Sequence, residues 1–397
     1  MNTKKCRVKF FPFLAVLFLL LFSIRPMTAS AVEIEVAPGY ALELVAFGVV
    51  PLPTSIVFGK HGQLYVSSLA TGQISAVDVE IGTSSILVPP SVLDSPMGLA
   101  VHPKTGMIYV TSRYIIPGGD PSSVADVKSR ISTIDPVTGI VSTFVEGLPS
   151  MFFGELTAPI TGSQGIDFDK YGNLYVAQGV NDVAHAAGDP FPSAILKVDS
   201  EGRVSVFASG LRAPYDVVVA RKESDKKHGD KRHATILYAG DNGEGNECDG
   251  CPEDQPSRQY FDELNRVLEG KHYGWPGGAP EYPAESHRGP LWNFEINPAN
   301  EFFPEPAWPV PTGIDIKKGK FGKGVRDPLF LALFNCPSMF VPDLGTIEMF
   351  NGIDYGERTT LAKYIDGPID VRVGPDKKLY FAEFQTGNIY RIAPQKY

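Results

Sequence analysis

The residues best suited to chemistry in this 397-residue chain lie between Arg212 and Pro276. Asp241-Asn242-Gly243-Glu244-Gly245-Asn246-Glu247 is acidic, glycine-rich backbone whose carbonyls and carboxylates suit a hard cation such as calcium. Its spacing is not that of an EF-hand loop, and a merely solvated turn is the commoner fate of such segments. Cys248-Asp249-Gly250-Cys251 follows, a spacing that closes as a tight loop disulfide in an oxidising compartment, binds a metal, or runs redox chemistry. A metal needs two further ligands at regular spacing, which the sequence lacks, and Pro252 after Cys251 excludes a c-type haem. A structural bridge between Cys248 and Cys251 is therefore expected. Cys336, within the apolar run from Leu329 to Phe340, reads as a small buried hydrophobe.

Such residues act only on a scaffold, and the chain repeats one. Six short turns open apolar runs: Pro53-Thr54-Ser55-Ile56, Pro96-Met97-Gly98-Leu99, Ser163-Gln164-Gly165-Ile166, Pro214-Tyr215-Asp216-Val217, Pro311-Thr312-Gly313-Ile314 and Pro368-Ile369-Asp370-Val371. Four of them lead to Leu/Ile-Tyr strands at Leu64-Tyr65, Ile108-Tyr109, Leu174-Tyr175 and Leu379-Tyr380. Pro presets φ, Gly and Asp tolerate unusual backbone angles, and β-branched and aromatic residues fit a pleated surface. Repetition of this kind predicts an all-β, six-bladed β-propeller. The last blade runs out of chain after three strands, so Tyr40 to Phe47 is expected to close it as the fourth. A β-sandwich or two smaller all-β domains would show similar turns but not six units in one phase.

Met1 to Ala31 is expected to be a signal peptide: a basic start, an apolar run from Leu14 to Phe22, and Ala29-Ser30-Ala31 as the cleavage site. Residues 32–397 are then one domain, exported to the periplasm or the exterior, with no stable membrane span. Removing five basic residues and no acidic ones moves the net charge from −9 to −14, which argues against nucleic acid and anionic membranes as partners. A small molecule or carbohydrate in the central channel is the expected ligand. The interval from Pro214 to Pro311 is 97 residues, against 43 to 67 elsewhere, so blade 4 carries the excess loops where function is expected. The first of them, Arg221 to His233, reads as a solvated hairpin tip.

In that blade, Gly210-Leu211-Arg212-Ala213-Pro214-Tyr215-Asp216, Gly240-Asp241-Asn242-Gly243-Glu244, Asp262-Glu263-Leu264-Asn265 and Gly270-Lys271-His272-Tyr273-Gly274-Trp275-Pro276 resemble the central signature of the soluble glucose/sorbosone dehydrogenases. The likeness extends from Val36-Ala37-Pro38-Gly39-Tyr40 to Ile389-Tyr390-Arg391-Ile392. It implies a six-bladed propeller holding pyrroloquinoline quinone (PQQ) and calcium, and oxidation of a sugar or related alcohol. By the same resemblance Arg212 holds the cofactor carboxylate, with Tyr215 and Asp216 in the same cofactor-binding element. Gly243 and Glu244 offer carbonyls to the metal, and Asp262, Glu263, Asn265, Tyr273 and Trp275 brace the loop. Arg212 equally suits a salt bridge at the channel mouth, and Tyr273 and Trp275 suit packed anchors.

Two positions depart from the family pattern. Ala213 stands where the family has Asn after the arginine, and Thr161 stands where it has a general-base His. Thr is no base at neutral pH, which makes His185, on the loop after the third-blade Tyr strand, the substitute candidate. The rival functions are a non-catalytic propeller that binds a polysaccharide or an exported protein, and a calcium-dependent lactonase-type hydrolase using Asp182, Asp216 and Asp370.

Overall fold

Each of the six turns leads into the first strand of an antiparallel sheet, four-stranded in blades 1, 3, 4 and 6 and five-stranded in blades 2 and 5. The blades, in chain order, begin at Pro53–Phe58, Leu99–Val101, Ser163–Phe168, Pro214–Ala220, Pro311–Ile316 and Pro368–Val373. These first strands touch one another in cyclic order, the sixth against the first, so the protein is a six-bladed β-propeller with its first strands around the axis. The structure is a computed structural model that describes residues 33–151, 160–179, 191, 193–220, 235–242, 262–275, 291–294, 309–334, 344–352 and 357–395. Among them there are strands and no helix, hence no helix long and apolar enough to cross a membrane.

The local sequence explains the strands. Second strands such as Leu64–Ser68, Leu174–Gln178, Leu329–Leu333 and Leu379–Glu383 are buried along their whole length, as their apolar runs require, with Gln178 and Glu383 buried at the ends of two of them. Every blade buries both faces against its neighbours. Six apolar clusters result, one per blade–blade interface, from Tyr65, Leu99 and Val110 between blades 1 and 2 to Ile56, Ile369 and Tyr380 between blades 6 and 1.

Tyr40–Ala46 pairs antiparallel with Ile389–Pro394 as the fourth strand of blade 6, from Tyr40 opposite Pro394 to Ala46 opposite Ile389. Arg391 grips it with two nitrogens on the Glu43 carboxylate, at 2.6 to 3.0 Å. A further strand not foreseen in the sequence, Glu35–Val36, adds to the outer strand Glu357–Ile365 of blade 5.

At five of the six turns the pairing with the second strand slips, between Pro53 and Ile56, Ser163 and Ile166, Pro214 and Asp216, Pro311 and Ile314, and Pro368 and Asp370. Such bulges re-aim side chains, here towards the next blade. Asp216 accepts the Ile314 N–H at 3.1 Å, and Asp370 accepts the Ile56 N–H at 2.8 Å and the Ser55 hydroxyl at 2.9 Å. Two residues along from Gly165 and Gly313, Asp167 and Asp315 do the same for Val219 and Val373. Carboxylates thus stitch blade to blade around the axis. Gly165 and Gly313 are glycines because a Cβ there would lie 1.9 Å from Asp216 Oδ1 and 2.2 Å from Asp370 Oδ1. The guanidinium of Arg372 sits among them, 3.0 Å from Asp216 and 2.9 Å from Asp370. Burial opposes its charge, but the surrounding carboxylates outweigh this and keep it protonated. Burial in turn lifts Asp167 and Asp370 to about 7.

Candidate active site

The end of the ring where the first strands begin is also where second strands end and third strands start. Blade 4 therefore brings Pro214, Asp241 and Glu263 side by side, through the pairs Pro214–Asp241 and Asp241–Glu263. Asp241 organises this mouth. Its two oxygens accept the backbone N–H groups of Arg212 (2.9 Å) and Ala213 (2.8 Å), fixing the turn that presents the arginine. Arg212 Nη1 donates to the Asn242 carbonyl at 3.2 Å, and the Arg212 carbonyl accepts the Ser193 hydroxyl at 2.9 Å. The guanidinium is thereby held half-buried where Asn242 leads into Gly243.

The electrostatics at this mouth are those of a crowded acid pair. Burial, then the charge of Glu263, raises Asp241 to about 8. Burial raises Glu263 too, against the Asn265 amide that donates to it at 3.1 Å. Asn265 is fully buried, and its Oδ1, like the buried Oδ1 of Asn242, finds no hydrogen-bond donor among the described residues. Unsatisfied buried amide oxygens are costly, and a hard cation or a hydroxyl is what would satisfy them.

The segment after the third strand of blade 4 supplies the wall. After the turn at Gly270 it runs alongside the outer strand of blade 3: Tyr273 N–H donates to Ser209 O and Trp275 N–H to Gly210 O, both at 2.9 Å. Tyr273 is buried between blades 3 and 4, its hydroxyl donating to Arg266 O at 2.6 Å and accepting Leu268 N–H at 2.9 Å. Trp275 is buried beside Gly210 and His272 beneath it, with its Nδ1 accepting Gly274 N–H. Tyr273 and Trp275 are thus packed anchors that hold the Gly210–Arg212 turn in place.

Arg212, Glu263, Asn265, Tyr273 and Trp275, spread over 64 residues of sequence, lie between blades 3 and 4, whereas Asp262, opposite Phe294, alternates to the blade 5 side. Tyr215 and Asp216 go elsewhere. Tyr215 crosses the axis, its hydroxyl donating to Thr54 O of blade 1 at 3.3 Å, while Asp216 belongs to the Arg372 cluster. Burial, then the Asp370 and Asp216 charges, raises the Tyr215 phenol well above its usual range. Asp216 and Asp370 converge as the lactonase reading required, but on Arg372, which takes the place of a cation. Among the described residues no group of three potential ligands could hold a metal. His185, Asp182, Gly243, Glu244, Cys248 and Cys251 lie outside the described residues.

Thr161 is buried, its Oγ1 3.3 Å from Ser129 Oγ, in the short strand Ile160–Thr161 added to blade 2. Its carbonyl accepts Gln164 Nε2 at 2.9 Å, and Gln164 Oε1 is buried without a donor among the described residues. Asp241 and Gln164 are the site residues that sequence reasoning passed over. Asp241 stood inside the Gly-Asp-Asn-Gly-Glu motif, and Gln164 is the only long amide among the second residues of the six turns.

No family model matches the sequence, and neither does any curated protein. Solved structures match over nearly the whole chain. A putative oxidoreductase (glucose dehydrogenase) from Thermus thermophilus is 20% identical, covering 89% of this chain and 100% of its own, with a TM-score of 0.57. The PQQ-bound aldose sugar dehydrogenase of Streptomyces coelicolor is 17% identical over 90% of this chain and 99% of its own, at a TM-score of 0.60. The calcium structure of a Trichoderma reesei carbohydrate-active enzyme of family AA12 is 16% identical over 93% and 99%, also at 0.60. The chain has the fold of the sugar dehydrogenase propellers. At these identities the likeness is one of fold, and the chemistry rests on the residues at the mouth.

Proposed function

We propose that this protein is an exported quinoprotein: a propeller that binds PQQ with calcium at the mouth of blades 3 and 4 and oxidises a sugar or related alcohol. The observation that carries the reading is the turn held by Asp241, which fixes a guanidinium next to buried, unsatisfied amide oxygens. Arg212 offers the cofactor carboxylates a charged planar fork. Asn242 Oδ1 adds an oxygen donor one residue before Gly243 and Glu244, whose carbonyls the metal would share. When bound, the quinone supplies the two-electron oxidation. The chain must still orient the substrate hydroxyl and accept its proton. Gln164 Oε1 is an acceptor able to orient a hydroxyl, and His185 is the proposed base, since Thr161 cannot serve.

Titration of purified protein with PQQ and calcium, followed by visible absorbance, tests the reading. We expect a bound chromophore reduced by an aldose, and quinone affinity at least about tenfold weaker in Arg212→Ala with the fold intact. Equal affinity in both proteins, or none in either, would sink it. A second reading, a binding propeller without catalysis, draws on the buried Thr161 at the position of the base. It predicts a bound quinone that no sugar reduces.

A further inference from the structure

The turns joining first to second strands lie at the other end of the axis from Arg212. Those of blades 1, 2, 3, 5 and 6 together hold ten Lys and Arg against three Asp, in a chain of net charge −9. The three acids are engaged: Asp169 by the N–H groups of Tyr171 and Asn173, Asp327 by that of Gly319, and Asp376 by the Tyr380 hydroxyl. Of the ten cations only Arg326 and Lys378 form ion pairs among the described residues. Lys60, Lys104, Lys170, Lys318 and Lys377 are exposed and face no carboxylate among the described residues.

These turns form a continuous arc. Lys60 Nζ donates to the Lys104 carbonyl, Lys104 Nζ lies 3.5 Å from the Tyr171 carbonyl, and a Cβ on Gly62 would lie 3.9 Å from Pro375 Cγ of blade 6. Outside the arc, the described turns between third and fourth strands of blades 1 to 3 carry Glu80, Asp135, Asp199 and Glu201 against one cation, Arg203, which pairs with the last two. Positive charge is therefore concentrated around the axis within an acidic rim.

We propose that this ring binds a chain of carboxylate-bearing polysaccharide. The acidic rim repels an extended anionic plane such as a bilayer but leaves the centre open to a single chain. Lysines supply compact point charges on flexible stems, which a chain of spaced carboxylates can meet one at a time without the paired geometry of an Arg fork. Tyr171 is 62% exposed, with Lys170 Nζ 4.9 Å from its ring centre. Lys170 lies over one face of the ring, and the combination suits a uronic acid, whose C–H face packs on exposed aromatic surface while its carboxylate meets a lysine. The site would tether the protein to an acidic carbohydrate matrix with the Arg212 mouth turned away from it.

Binding of the full mature chain to polygalacturonate, by fluorescence anisotropy at low and high salt, tests this. Polyglutamate of equal charge density, duplex DNA and phosphatidylglycerol vesicles are the competitors. Polygalacturonate should bind most tightly and lose affinity with salt. The variant Lys104→Glu/Lys170→Glu/Lys318→Glu/Lys377→Glu should bind at least about tenfold more weakly at an unchanged melting temperature. Tyr171→Ala should abolish the preference over polyglutamate. Equal affinity for polyglutamate, tighter binding to DNA or vesicles, or full affinity in the quadruple variant would overturn the proposal. The readout needs no quinone, so it stands or falls apart from the oxidoreductase reading.

Discussion

The two ends of the propeller axis are built from the same strands and carry opposite chemistry. At one end, second strands finish and third strands begin, and Asp241 and Glu263 gather around a single turn with Arg212. At the other, the short turns after the first strands present lysines blade after blade. A net charge of −9 describes neither end. Excluding anionic partners on net charge presumes that charge is evenly spread, whereas antiparallel strands sort alternate connections to opposite ends. The ends also titrate oppositely. Asp241 is raised by burial and Glu263, whereas His102, in the blade 2 turn, is lowered by burial and by Lys104 and Lys60.

The largest expected effect comes from breaking the frame that both ends share. Arg372→Met leaves Asp216 and Asp370 buried without their cation, and should cost about 3–5 kcal/mol in urea unfolding. A change below about 1 kcal/mol would show that the carboxylate stitching stands without it.

A smaller change sharpens the acidic end. The folded protein keeps a proton on Asp241 up to about pH 8 that the unfolded chain releases near its ordinary value of 3.8, so stability is lost as pH rises through that window. Asp241→Asn should flatten the slope there by up to about 1.4 kcal/mol per pH unit, measured by denaturant midpoints across the range. An unaltered slope would assign that proton to another group. The same substitution loosens the Arg212 turn, so quinone affinity should weaken as well.

The smallest effect belongs to the basic end and has the opposite sign. His102 Nδ1 accepts the N–H groups of Lys104 and Thr105, which only the neutral ring can do. Its lowered pKa means stability present above the unfolded value and lost as pH falls below about 6.5. His102→Asn keeps an acceptor for the turn, and should flatten the acid limb of the stability curve while leaving the alkaline limb alone. Steepening of the acid limb would assign the sensitivity elsewhere.

The site was partly legible in advance. The motifs around Arg212, Glu263–Asn265 and Tyr273–Trp275 lie close together between blades 3 and 4. Asp216, grouped with Arg212 in one cofactor-binding element by the resemblance, lies four residues from it in sequence. A bulge turns it to the axis, where Arg372 is 156 residues distant. The role of Asp241 was hidden because the backbone N–H groups it caps belong to the turn before Pro214, 28 and 29 residues earlier.

Local sequence sufficed for the six turns, the strands they open and hence the ring, because turn chemistry and period-two burial act between near neighbours. Its alternation of Gly165 with Asp216 and of Gly313 with Asp370 already held the packing code, though the code is readable only once blades are adjacent. Closure of the ring settles the rest: which carboxylates meet Arg372, that Tyr215 spans the axis to Thr54, and that lysines collect around the axis at the end away from Asp241 and Glu263. Those outcomes depend on how many blades close the circle and which residues then face across it, as with Ser55 and Asp370, 315 positions apart and 2.9 Å from one another. No local preference of the chain encodes such a distance.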